Sequence, residues 1–214
     1  MSLRRRFAAV LTLPLLGLAL SACGSENESA SGGDTETITV TDALGDEEVP
    51  LNPKSVVVFD MGVLDTLDTL GVDAVTGVAK GGATPSYLKK YESDDYVAVG
   101  DLFEPNLEAI PRAKPDLIIV GGRSAAMHDT LEETFEDVPV LDMSVDQNAY
   151  LDSSRENILT LASIFEKEKQ AEEILAGYDE RIAAVKKQAG DAGKGLVLLT
   201  SGGEVTAYSL NSRF

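Results

Sequence analysis

An arginine stands at the end of an apolar run in the stretch PDLIIVGGRSAAM, residues 115–127. The run DLIIV predicts a buried parallel strand, and the two glycines after it permit a tight turn before Arg123. Because ligands bind at the carboxyl ends of the strands in open α/β sheets, Arg123 is a candidate cation for an anionic ligand. The alternative is a weak surface ion pair with Glu132 or Glu133 in the following predicted helix.

Two further residues are candidates for contact with a ligand. Arg213 follows the run EVTAYSL, which predicts a strand at the mouth of a second lobe, although a solvated charge near the terminus is the simpler interpretation. Tyr87 begins the aromatic cluster PSYLKKYESDDY, which could line a pocket for a flat ligand. Packing of a short helix on a sheet would explain the same tyrosines.

The sequence contains no recognised catalytic or metal-binding motif. Its single histidine, His128, and its single cysteine, Cys23, do not suffice for a site built from nitrogen and sulfur ligands, and we interpret His128 as a polar helix residue. The glycine-rich stretches GVAKGG and GDAGKG do not fit a phosphate loop, and no G-x-S-x-G motif occurs. We therefore expect neither an enzyme, nor a metal site, nor a cofactor.

The charge balance excludes another class of partner. The 214 residues include 18 Lys and Arg against 36 Asp and Glu, which gives a net charge of −18. Such a surface repels nucleic acid and anionic headgroups, so we expect no nucleic-acid partner. An anionic small ligand would need a local exception, and Arg123 could provide one.

The amino terminus indicates export from the cytoplasm. The stretch MSLRRRFAAVLTLPLLGLALSACGS has a basic start, an apolar run and small residues before Cys23. Its LSAC segment resembles the bacterial lipoprotein signal, in which the cysteine is acylated and becomes the first residue. We predict a signal peptide over 1–22, a lipid anchor at Cys23 on the extracytoplasmic face of the cell membrane, and a flexible tether over 23–36. An ordinary secretory signal and a buried free cysteine are the alternatives.

The remaining sequence predicts an α/β fold. The stretch ETITVTDALGDEEVPLNP indicates a hairpin, and short strands then alternate with helices, which is typical of a parallel sheet flanked by helices. A long helix and a strand pair without covering helices follow. We assign an N-terminal α/β lobe to 37–165, a connecting helix to 166–190 and the start of a truncated C-terminal lobe to 191–214, and we expect a longer parent protein.

A family resemblance extends over most of this region. From about Lys54 to Phe214, the series VVVFDMGVLDTLDTLG, GVAKGGATPSYLKKY, VAVGDLFEPNLEAI, KPDLIIVGGRS and AYSLNSRF resembles the ferric-siderophore-binding lipoproteins of ABC importers, in particular the branch that binds catecholate siderophores such as petrobactin. The resemblance implies a periplasmic-binding-protein-like fold of two α/β lobes joined by a long interdomain helix, with the ligand between them. It also implies capture of a ferric siderophore and delivery to the subunits of an ABC permease.

The resemblance further assigns roles to individual residues. Arg123 and Arg213 correspond to two family arginines that face the anionic iron chelate, one from each lobe. Glu108, in PNLEAI, corresponds to a glutamate at the outer tip of the first lobe that pairs with a permease arginine; a solvated helix acid is the alternative. A third arginine and the iron-coordinating histidine and tyrosine would lie beyond Phe214, so we expect this chain alone to bind its ligand weakly.

Two alternatives stay open on the sequence. A surface lipoprotein with only an interaction role would need no ligand. Haem and cobalamin are carried by relatives of similar architecture, and the determinants that separate these ligands would lie mostly in the second lobe.

Overall fold

The computed structural model describes residues 36–190, 192–193 and 195–208. Within these residues the strands are β1 Thr37–Thr41, β2 Asp46–Pro50, β3 Val56–Val58, β4 Val75–Val78, β5 Val97–Ala98, β6 Leu117–Val120, β7 Val140–Asp142, β8 Leu198–Ser201 and β9 Glu204–Ala207. The α-helices are α1 Met61–Thr69, α2 Ile110–Ala113, α3 His128–Thr134, α4 Tyr150–Ile164 and α5 Glu168–Gln188, and two 3-10 helices span Ser86–Glu92 and Ala125–Met127.

The first two strands form the predicted hairpin. They pair antiparallel from Thr37 opposite Pro50 to Thr41 opposite Asp46. The carboxylate of Asp42 stabilises the turn, since its Oδ1 accepts a hydrogen bond from the amide of Leu44 at 2.7 Å. The other carboxylate oxygen of Asp42 accepts a hydrogen bond from the amide of Asp142 at 2.8 Å. The hairpin turn is thereby attached to the end of β7.

A five-stranded parallel sheet, in the order β5-β4-β3-β6-β7, forms the centre of the fold. Alternate residues along β3 and just after it face opposite layers. Val56 and Val58 belong to the core cluster that includes residues of α1 and α4, whereas Val57 and Phe59, the residue after the strand, belong to the cluster that includes residues of α2 and α3. Apolar residues on both faces explain why the strands are continuous hydrophobic runs. The α/β class with a parallel sheet flanked by helices is confirmed.

The strand order reverses in the middle of the sheet. The chain runs outward from β3 through β4 to β5, then returns to the opposite side of β3 for β6 and β7. Where such an order reverses, the loops after the two central strands diverge and leave a crevice at their carboxyl ends. In this sheet those loops contain Asp60 after β3 and Arg123 after β6.

Two stretches of helical composition in this lobe form little or no α-helix. The stretch PSYLKKY forms a 3-10 helix, Ser86–Glu92. In PNLEAIPRA only Ile110–Ala113 is α-helical, because the Oδ1 atom of Asn106 accepts a hydrogen bond from the amide of Ala109 at 3.1 Å and holds the preceding residues in turns. His128 begins α3, in agreement with its interpretation as a polar helix residue, and its Nε2 lies 3.0 Å from the carbonyl oxygen of Val140.

The two long helices pack against each other, and residues of both belong to or pack against the core cluster on one face of the sheet. Arg155 of α4 forms an ion pair with Asp179 of α5. The predicted long helix begins at Glu168, because the chain changes direction at Glu166, which has a positive φ of 55°. Its first turn is buried at Ala171, whereas Tyr178 in its second half is exposed. Among the described residues no helix is both long enough and apolar enough to cross a membrane.

The last described strands form a second antiparallel hairpin. Gly202 and Gly203 have φ values of 60° and 85°, which is the left-handed backbone of a two-residue hairpin turn. All eight strand residues of β8 and β9 are exposed. Both strands are uncovered among the described residues, and the start of a C-terminal lobe over 191–214 stays a prediction.

Candidate functional site

A cavity of about 790 Å³ opens at the carboxyl edge of the parallel sheet. Its walls come from the segments that follow β3, β4, β6 and β7, from the loop after β5 and from α4. The cavity therefore occupies the crevice that the reversal of strand order creates. Its polar and aromatic lining residues include Asp60, Lys80, Asp101, Phe103, Arg123 and Tyr150.

Arg123 lies in this cavity on a well-fixed turn. The buried hydroxyl of Ser124 accepts a hydrogen bond from the amide of Gly121 and donates one to its carbonyl, each at 3.0 Å. The amide of Gly122 donates to the Oγ atom of Ser144 at 2.9 Å, and the φ of 56° at Gly122 favours glycine there. The turn presents an exposed arginine side chain at the end of the strand.

Within the described residues, Arg123 makes no hydrogen bond and no ion pair, so the alternative pairing with Glu132 or Glu133 does not form. The other lining cation, Lys80, is occupied: its Nζ donates to the carbonyl oxygens of Ser93 at 2.8 Å and of Tyr96 at 2.9 Å. Among the described lining residues, Arg123 is therefore the cation without a hydrogen-bond or ion-pair partner.

Two carboxylates also line the cavity, and backbone amides bind both. The Oδ1 atom of Asp60 caps α1 by accepting from the amides of Gly62 at 2.8 Å and Val63 at 3.0 Å. The Oδ1 atom of Asp101 accepts from the amides of Phe103 at 2.7 Å and Glu104 at 2.9 Å. These amides partly neutralise the carboxylates, which reduces their repulsion of an anion near Arg123.

The sequence reasoning missed two aromatic residues of the cavity. Phe103, in the loop after β5, is 70% exposed, and Tyr150, the first residue of α4, is 37% exposed. Neither belongs to a periodic apolar pattern. The available signal for Phe103 was its position, in GDLFEP directly after a strand of the parallel sheet, because that is where ligand-binding loops occur.

Tyr87 has a different environment. It is 65% exposed on the 3-10 helix Ser86–Glu92 and does not line this cavity. The other two tyrosines of the predicted cluster pack together: the ring centroids of Tyr91 and Tyr96 are 4.7 Å apart. The Tyr91 hydroxyl donates to Asp68 at 3.0 Å, and burial, reinforced by that carboxylate, raises the pKa of Tyr91. For Tyr91 and Tyr96 the packing interpretation holds.

Glu108 lies outside the main cavity. It is exposed and lines a second depression of about 630 Å³, together with Glu104 and Leu107. Lys80 and Asp101 line both cavities, so the loop between β5 and α2 forms a shared wall. The two remaining predicted residues, Cys23 and Arg213, lie outside the described residues. Within the described residues no group of three or more His, Cys, Asp and Glu side chains could hold a metal ion.

Comparison with known proteins gives one consistent result. The family model described as "Periplasmic binding protein" matches residues 56–213. The petrobactin-binding protein YclQ of Bacillus subtilis (strain 168) is 37% identical over 98% of the chain and 67% of YclQ. The crystal structure of YclQ superposes with a TM-score of 0.76 at 39% identity, over 84% of this chain and 63% of that one.

Two other solved structures are similar. The periplasmic catecholate-siderophore binding protein VctP from Vibrio cholerae has a TM-score of 0.75 at 31% identity, over 83% of this chain and 63% of VctP. The siderophore-binding protein BauB, bound to two molecules of acinetobactin and ferric iron, has a TM-score of 0.74 at 28% identity, over 83% of this chain and 64% of BauB. In these superpositions the chain thus spans less than two thirds of each relative. With a matching family model over most of its length and these relatives, the chain belongs to the Periplasmic binding protein family.

Proposed function

We propose that this protein captures a ferric siderophore of the catecholate type outside the cytoplasm and delivers it to an ABC permease. The observation that carries the proposal is Arg123, a cation with no partner among the described residues, in a cavity at the carboxyl edge of the sheet. The relatives YclQ and VctP are named for binding petrobactin and a catecholate siderophore. None of the three relatives compared above is named for haem or cobalamin.

Elementary electrostatics supports an anionic iron chelate as the ligand. A ferric tris-catecholate carries a charge of about −3, and a single unit charge about 4 Å from a guanidinium gains roughly 4 kcal/mol at an effective dielectric constant near 20, before desolvation. The planar guanidinium of Arg123 also presents several donors to catecholate oxygens and can stack on aromatic rings. A neutral chelate would gain neither the charge attraction nor the donor match.

Arg213 would add a second cation from the other lobe. It is the arginine of AYSLNSRF, the segment that resembles the second arginine motif of the family. Each lobe would then contribute one arginine to the same anionic chelate, and the bound chelate would hold the two lobes together. Tyr87 stays a candidate for contact with a ligand only if the occupied protein brings its ring toward the cavity.

Glu108 is proposed to dock the permease. Its side chain is exposed beside Glu104, and the two acids flank the partly exposed Leu107. An arginine of the permease would bind the two carboxylates and contact Leu107. Exposed charge pairs of this kind favour fast and specific encounter rather than tight binding, which suits a protein that must release its cargo.

The proposed location is the extracytoplasmic face of the cell membrane. The LSAC segment before Cys23 supports acylation of that cysteine, and the polar stretch after it would provide reach to the permease. The family description and the name of VctP both include the word periplasmic, in agreement with a site outside the cytoplasm.

Titration with two ferric chelates of different charge tests the proposed function. The full chain is titrated with an anionic ferric catecholate and with an uncharged ferric hydroxamate, and bound iron is measured by equilibrium dialysis. We expect clear preference for the catecholate. Equal affinity for both chelates, or no binding of either, would contradict the proposal.

A further inference from the structure

Phe103 is an aromatic side chain that the fold leaves uncovered in the wall of the main cavity. Its 70% exposure is unusual for phenylalanine, which folding normally buries. Exposure of a single apolar residue is not by itself evidence of a site. What distinguishes Phe103 is that it lines the cavity that contains Arg123 and that hydrogen bonds hold the backbone of its loop.

Three interactions fix the loop that carries Phe103. The Asp101 carboxylate accepts the amide hydrogen bonds of Phe103 and Glu104, and the Asp101 amide donates to the carbonyl of Glu104 at 3.0 Å. The last of these hydrogen bonds belongs to the antiparallel bridge between Gly100 and Pro105. The backbone is so close at Gly100, where φ is 110°, that a Cβ atom there would lie 2.3 Å from the carbonyl oxygen of Glu104. Such a loop holds the backbone of Phe103 in place before any ligand arrives.

An aromatic ring on an ordered loop contributes more to binding than one on a mobile loop. No loop has to be ordered when the ligand binds, so less of the contact energy is lost to entropy. Phe103 and Arg123 line one cavity, which therefore offers a flat apolar surface together with a cation without a partner in the described residues. The ligand that uses both features is anionic and contains an aromatic ring.

We propose that Phe103 determines specificity at this site by packing against an aromatic ring of the chelating group. The ring thereby selects aromatic ferric chelates over aliphatic ones of comparable negative charge, a distinction that Arg123 alone cannot make. This inference rests on the proposed function, since it concerns the same ligand site. The alternative is that Phe103 contacts the permease, because Glu104 and Leu107 of the same loop line the second depression.

The test compares two anionic probes and matched variants of the full chain. Wild type, Phe103→Leu, Phe103→Tyr and Tyr178→Leu are titrated with the ferric complexes of catechol and of citrate, with bound iron measured by equilibrium dialysis. Tyr178, on α5, is an exposed aromatic residue that does not line the cavity, so it controls for loss of a surface ring. Phe103→Leu should weaken catechol-complex binding roughly three- to tenfold and citrate-complex binding less than about twofold, while Phe103→Tyr should behave as wild type.

The outcomes separate this inference from the proposed function. If wild type binds neither complex, the proposed function fails and the inference fails with it. If wild type binds the catechol complex but Phe103→Leu binds it as tightly as Tyr178→Leu does, only the role of Phe103 is overturned. Equal weakening of both complexes by Phe103→Leu would also overturn the proposed selectivity for aromatic chelates. Unchanged binding with reduced iron uptake by cells would assign Phe103 to the permease contact instead.

Discussion

The carboxylate of Asp101 accepts a hydrogen bond from the amide of Phe103, with 2.7 Å between Oδ1 and N. The same oxygen accepts the amide of Glu104 at 2.9 Å. Phe103 lines the main cavity, whereas Glu104 lines the second depression beside Glu108. The Asp101 side chain therefore holds the backbone of a residue in the wall of the main cavity. It also holds the backbone of a residue in the surface that we propose for permease docking.

Asp101→Ala should loosen this loop. Two amides would lose their acceptor, so we expect faster hydrogen exchange at Phe103 and Glu104 and roughly two- to fivefold weaker binding of a ferric catecholate. Asp101→Asn keeps an oxygen that accepts both amide hydrogens and should restore most of the protection. Exchange rates that are the same in wild type and Asp101→Ala would show that the carboxylate does not hold the loop.

Glu108→Lys tests the docking surface. Charge reversal should lower siderophore-dependent iron uptake by cells roughly tenfold or more, because like charges would then meet at the permease. Binding of the ferric catecholate by the purified protein should not change, since Glu108 does not line the main cavity. Glu136→Lys is the matched control, because Glu136 is also exposed but follows α3, away from the second depression. Equal uptake by both variants would remove Glu108 from the docking surface.

Tyr91→Phe should lower the free energy of unfolding. The Tyr91 ring is 3% exposed, and its hydroxyl donates to Asp68, which also pairs with Lys90. Loss of this hydrogen bond should cost about 1 kcal/mol in urea denaturation. The same change at the exposed Tyr87 should alter stability by less than about 0.5 kcal/mol. Equal effects at the two positions would contradict the structural role of Tyr91.

Glu47→Gln should change the dependence of stability on pH. In β2, burial first and then the charges of Asp42 and Glu132 raise the pKa of Glu47 above its usual value of 4.5, although His128 acts in the opposite direction. The folded state thus holds this proton more tightly than the unfolded chain does. The stability that Glu47 contributes is fully present below pH 4.5 and is lost as the pH rises through the raised pKa.

The glutamine variant stays neutral at every pH, so its free energy of unfolding should exceed that of wild type at pH 7 and approach it near pH 3.5. Glu156→Gln, on the exposed surface of α4, controls for the general effect of removing one negative charge from an acidic protein. If Glu47→Gln raises the free energy of unfolding at pH 7 no more than Glu156→Gln does, the surroundings of Glu47 do not destabilise its charged form.

Much of the fold follows from the sequence, because the buried strands are continuous apolar runs. DLIIV identifies β6, and its position before two glycines was sufficient to place Arg123 at the carboxyl edge of a parallel sheet. Phe103 also follows a strand, but this position alone does not show that its ring lines the cavity. Its importance depends on an Asx turn and on a cavity formed by distant segments, and neither leaves a periodic pattern in the sequence.

Local hydrogen bonds also explain where the sequence prediction was wrong. PNLEAIPRA has helical composition, yet the Asn106 side chain competes for the amide of Ala109 and delays the helix to Ile110. In the tyrosine cluster, composition could not distinguish the buried Tyr91 from the exposed Tyr87, because that difference arises from the tertiary contact with Asp68.

The most direct test of the account is the affinity of Arg123→Gln for a ferric catecholate. The matched control is Arg112→Gln, which removes the same charge from an exposed position in α2 that does not line the cavity. We predict roughly ten- to hundredfold weaker binding by Arg123→Gln and an affinity within about twofold of wild type for Arg112→Gln. Equal affinities of wild type and Arg123→Gln would contradict it.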